Sequence, residues 1–97
     1  MAKMVMVVYN EAMDLEVMEV LEACAMKNYT KVTGAYGRGA TSGTHMGNDI
    51  WPGLNNILYV ACEDPQATQM LSCVKQLRKK LGQEGIKAFV LPVEQLT

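Results

Sequence analysis

Residues 2–9, Ala-Lys-Met-Val-Met-Val-Val-Tyr, form an apolar, partly β-branched run, the pattern of a strand buried on one face or on both. Asn10 follows and is able to cap a helix, as is Asp14 after one irregular turn. Leu15, Met18, Leu21 and Ala25 then recur at helical spacing, a stripe widened by Val17, Val20 and Cys24, while Glu16, Glu19 and Glu22 line another face. The spacing predicts an amphipathic helix ending near Asn28, with Lys27 favourable against the negative end of its dipole. Residues 29–37 are rich in β-formers and read as a second strand. From Gly37 to Gly53 the pattern breaks. Gly37, Gly39, Gly43, Gly47 and Gly53 stand among Ser, Thr, Asn and Pro52, so this segment is a long loop, of the kind that usually carries function.

Residues 56–62 read as a third strand. Asp64 followed by Pro65 is a strong helix start, an N-cap with proline at the first helical position. Ala67, Met70, Leu71, Val74, Leu77 and Leu81 then fit the i, i+3, i+4, i+7 template. Arg78, Lys79 and Lys80 crowd the last turn as a solvated face that also complements the dipole, and Gly82 stops the helix. Residues 86–93 form a last strand, which Pro92 ends or places at an edge. The order β-α-β-β-α-β predicts one α+β domain over residues 1–97. It is ferredoxin-like, with a four-stranded antiparallel sheet and two helices on one face. Val5, Val7 and Tyr9 alternate with Met4, Met6 and Val8, so both sheet faces are apolar and the face without helices needs a cover. Self-association through that open face is the expectation.

Composition narrows the function. The chain has 97 residues, 49% of them hydrophobic and 20% charged, with a net charge of −1. That balance argues against a general nucleic-acid or anionic-membrane binder. No apolar run approaches the roughly 18 residues of a membrane-spanning helix. The first run breaks at Tyr9-Asn10, too short for a signal peptide, so a soluble cytoplasmic protein is expected. Cys24, Cys62 and Cys73 are odd in number and contain no C-x-x-C pair. They read as buried thiols rather than a disulfide framework or zinc finger. A single His and no visible Ser-His-Asp or Cys-His pairing point away from an enzyme.

Two stretches resemble a known family. Gly34-Ala35-Tyr36-Gly37-Arg38 resembles the G-x-G-R element that opens the T-loop of PII signal-transduction proteins. The run from Gly85 to Glu94, Gly-Ile-Lys-Ala-Phe-Val-Leu-Pro-Val-Glu, resembles their G-K-I-F-V-x-P-V-E strand. The resemblance implies a homotrimer holding ATP, ADP or AMP in clefts between subunits. Gly37 and Arg38 would sit at the T-loop base, Gly82 and Gly85 would flank the loop before the last strand, and Lys87 would be the phosphate-contacting lysine. It also implies a regulator that presents its 37–53 loop to a target protein, a transporter or an enzyme. The sequence departs from the family at Gly39, where the typical PII chain has a Gln that helps hold Mg²⁺ and 2-oxoglutarate. Its 82–86 loop reads Gly-Gln-Glu-Gly-Ile, where PII has G-D-G directly before the lysine.

His45, Met46 and Trp51 lie in the same loop and are candidates for partner contact. His45, beside Met46 and near Asp49, is also a candidate metal ligand, for Cu(I) or a divalent ion. The alternative function is therefore a metal-binding trimer of the CutA type, associated with divalent and copper ion tolerance.

Overall fold

The structure is a computed structural model and describes residues 1–37, 53–81 and 85–97. The chain forms β1 (Ala2–Asn10), a 3-10 turn (Glu11–Met13), α1 (Asp14–Cys24), β2 (Thr30–Gly37), β3 (Gly53–Glu63), α2 (Asp64–Leu81) and β4 (Ile86–Pro92). The strands make one sheet in the order β2-β3-β1-β4, every pairing antiparallel. This is the expected ferredoxin-like α+β arrangement. β1 lies second from one edge, with Val5 opposite both Val60 and Val90, and Val7 opposite both Leu58 and Ala88.

Strand alternation sorts the side chains. Val5, Val7 and Tyr9 of β1, Leu58 and Val60 of β3, and Ile86 of β4 are buried on the helix side. They pack with Val17 and Leu21 of α1 and with Ala67, Met70, Val74 and Leu77 of α2. On the opposite face Met4, Met6 and Val8 are only half-buried, and Val32, Phe89 and Leu91 are exposed. β4 ends at Pro92 on the sheet edge, where a residue without an N–H costs no ladder bond. In β2 the register slips between Val32 and Ala35, so that Thr33 and Gly34 oppose the single residue Asn56. Gly34 holds φ at 69°, a left-handed conformation that a side chain would strain although nothing lies within 4 Å of an added Cβ.

Three sequence expectations are corrected in the helix layer. First, Leu15 was expected to face the core but is 88% exposed, while Val17 and Leu21 are fully buried. Asn10 caps the 3-10 turn, its side chain accepting from the Ala12 N–H at 2.9 Å, and that turn rotates the start of α1. Second, α1 ends at Cys24, short of Asn28 and Lys27. The Ala25 and Met26 N–H groups both reach back to the Leu21 carbonyl, at 3.1 and 2.9 Å. Gln66 of α2 donates to the Ala25 carbonyl at 2.7 Å, and Asn28 donates instead to the Ala61 carbonyl of β3 at 3.2 Å. Third, Cys24 and Cys73 are joined as a disulfide, with Cα atoms 6.7 Å apart across 49 residues of sequence. Only Cys62 is free. The two cysteines face each other across the α1–α2 seam, a proximity no sequence spacing encodes. β3 also begins earlier than expected, at Gly53.

The corrected helix face yields a direct test. Leu21→Ala opens a void in the core and is expected to cost about 2–5 kcal/mol of unfolding free energy. Leu15→Ala, on the same helix, is expected to change stability by no more than about 0.5 kcal/mol. Chemical denaturation of both variants checks the pair; similar losses would restore Leu15 to the core.

Candidate functional site

Register brings several segments to one end of the sheet. Gly37 pairs with Gly53, Ala35 with Asn55, Asn55 with Asn10, and Tyr9 with Ile86. The base of the long loop, the start of the helix layer and the start of β4 therefore share that end. α2 runs back toward it, because only the short 82–85 connection separates Leu81 from Ile86.

Of the residues singled out from sequence, Gly37 closes β2, and Gly85 is buried at the bend before β4. Lys87 is exposed, pairs with Val8 and lies on the face away from the helices. It makes no ion pair among the described residues. Arg38, Gly82, His45, Met46, Asp49 and Trp51 lie outside the described residues. Gly37 and Lys87 share an end but sit on opposite edge strands, β2 and β4. Three strand spacings, about 14 Å, separate those edges. A single phosphate cannot touch both within one chain.

The structure adds a polar cluster that the sequence reading missed. Asp14, the first residue of α1, receives hydrogen bonds from three of the four strands. The Tyr9 hydroxyl of β1 donates to its Oδ1 at 2.6 Å. The Asn56 side-chain amide of β3 donates to the same oxygen at 3.0 Å. The Lys31 ammonium of β2 reaches both carboxylate oxygens, at 2.9 and 3.2 Å. The Tyr9 hydrogen bond, then that of Lys31, holds the Asp14 carboxyl below the usual carboxylate range. Burial, followed by the hydrogen bond to Asp14, pushes the Tyr9 hydroxyl far above its ordinary value. Beside the cluster, Asn55 is 1% exposed; its side-chain N–H bonds the Ala35 carbonyl at 3.4 Å, and its Oδ1 has no donor among the described residues. The signal for these groups was the pair Asn55-Asn56 inside an otherwise apolar strand, since buried amides must find partners.

Among the described residues no group of three or more His, Cys, Asp or Glu could hold a metal ion. No helix among them is long and apolar enough to cross a membrane.

The family model for nitrogen regulatory protein P-II matches residues 2–97. No curated protein sequence matches the chain. Among solved structures, the fold is similar to CPII from Thiomonas intermedia K12 bound to ADP, AMP and acetate. The TM-score is 0.73 at 17% identity, covering 99% of this chain and 89% of that one. It is also similar to a PII-like signalling protein from Thermus thermophilus, with a TM-score of 0.65 at 20% identity over 92% of this chain and 82% of that one. A DUF3240 family protein from Shewanella baltica superposes with a TM-score of 0.67 at 7% identity, covering 99% of this chain and 93% of that one.

The Asp14 cluster predicts an acid limb. A carboxylate whose folded pKa is depressed stabilises the fold above its unfolded pKa, about 3.9, and loses that contribution as pH falls through the folded value. Asp14→Asn, which removes charged hydrogen bonds at a partly exposed site, should cost about 1–3 kcal/mol at pH 7. The gap to wild type should narrow below about pH 4. Urea unfolding across pH 2.5–7 measures this, and a gap that stays constant across that range would contradict it.

Proposed function

The chain belongs to the nitrogen regulatory protein P-II family, and on that premise we propose that it is a non-enzymatic regulator that binds an adenine nucleotide between subunits. The observation that carries this reading is the placement of Gly37 and Lys87 at one sheet end but on opposite edges. A ligand that engages both must be as long as a nucleoside di- or triphosphate, or must take the two contacts from different copies of the chain. A nucleotide held in a cleft between copies meets both conditions.

The chemistry of each residue suits that role. Lys87 offers an exposed point charge for a phosphate, and glycines at 37, 82 and 85 let backbone N–H groups approach an anion closely. Arg38, next to Gly37 in sequence, supplies a second cation. The buried Asn55 oxygen needs a donor, which a ligand or a neighbouring copy can bring. Assembly as a homotrimer buries the apolar face of Met4, Met6, Val8, Val32, Phe89 and Leu91. The CPII structures with ADP and AMP support a nucleotide as ligand, and that of CPII with bicarbonate suggests a second, small effector. With nucleotide at its base, the 37–53 segment would present His45, Met46 and Trp51 to a target protein.

Isothermal titration calorimetry with ATP, ADP and AMP tests the reading. At least one is expected to bind, and Lys87→Ala and Arg38→Ala should each weaken it by about 1.5–3 kcal/mol, roughly 10- to 150-fold. His45→Ala should leave affinity unchanged. No heat with any of the three at millimolar concentration would refute nucleotide binding.

A further inference from the structure

We infer that Cys24 and Cys73 form a reversible thiol–disulfide switch that tightens or loosens the seam between α1 and α2. The disulfide joins the last residue of α1 to the middle of α2, with a Cα separation of 6.7 Å, within the span a disulfide bridges. The fold does not rely on that bond alone. Glu16 and Lys80 pair at 3.0 Å near the other end of the seam, and Gln66 and Gln69 hold the carbonyls of Ala25 and Cys24 at 2.7 and 3.5 Å. The reduced state is also provided for, because the Cys24 sulfur lies 3.7 Å from the Gln69 carbonyl, an acceptor for its S–H.

Access is open. Cys24 borders a surface groove of about 370 Å³ lined also by Ala25, Lys27, Pro65, Gln66 and Gln69. Both cysteines are only partly buried, and Lys27 lines the same groove as Cys24. With a low-molecular-weight disulfide such as oxidised glutathione as the oxidant, the Cys24 thiolate attacks one sulfur and releases a glutathione thiolate. The Cys73 thiolate then attacks the Cys24 sulfur and expels the second. The protein loses two electrons and two thiol protons, and one oxidised glutathione becomes two thiols. Excess reduced glutathione runs the same steps backwards. What the switch changes is the last turn of α1, where the Ala25 and Met26 N–H bonds to Leu21 otherwise depend on the two glutamines. The switch requires no nucleotide.

The test equilibrates the full chain in glutathione buffers of graded reduced-to-oxidised ratio, quenches with acid, alkylates under denaturing conditions and counts reactive thiols by mass. The expected result is one two-electron transition, from three reactive thiols to Cys62 alone. Hydrogen exchange at residues 21–26 is expected to be at least tenfold faster in the reduced form, with the rise larger than in β1. Cys24→Ser and Cys73→Ser should both show the fast exchange under oxidising buffer, and Cys62→Ser should switch like wild type. Three reactive thiols at every ratio, glutathione adducts without an internal bond, or a bond that survives excess reduced glutathione in the native protein would each overturn the inference. So would equal exchange at residues 21–26 in the two forms.

Discussion

The whole arrangement hangs on β1. It is hydrogen-bonded on both sides, to β3 and to β4, and apolar on both faces. One face, Val5, Val7 and Tyr9, is sealed by α1 and α2. The other, Met4, Met6 and Val8, is left with Phe89 and Leu91 of β4 at the surface. A strand of this pattern cannot be satisfied by two helices, because the βαββαβ connections place both helices on the same side. The demand for a cover on the open face comes from that constraint.

The Asp14 cluster joins the start of α1 to the sheet. Three donors from three different strands converge on a single carboxylate at the first turn of α1. Negative charge there also suits the positive end of the helix dipole. Lys31 and Asn56 tie β2 and β3, the strands on either side of residues 38–52, to the start of α1.

Much of this was readable from residue patterns, for physical reasons. The apolar runs and the Asp64-Pro65 start define the element order because burial and capping act locally. The Gly85–Glu94 stretch carried the family resemblance because its Lys, Phe, Val, Pro, Val and Glu fall in register. The face of α1 was not readable. Leu15, Val17, Met18, Val20 and Leu21 put apolar groups on nearly every side of an 11-residue helix, and only the preceding 3-10 turn sets which ones point inward. Nor was the Cys24–Cys73 pair, since helix–helix contact across 49 residues leaves no spacing rule. Asn55-Asn56 was a missed clue, because adjacent amides in an apolar strand must project to both faces and find partners there.

In the proposed function the open sheet face and the nucleotide site are one device, assembled only when copies of the chain meet. Native mass spectrometry of the full chain with and without ADP measures both at once. The expected result is a trimer that carries up to three nucleotides, with nucleotide found on the trimer and not on free monomer. A chain that stays monomeric at micromolar concentration, or a monomer that takes up nucleotide as readily as the trimer, would contradict it.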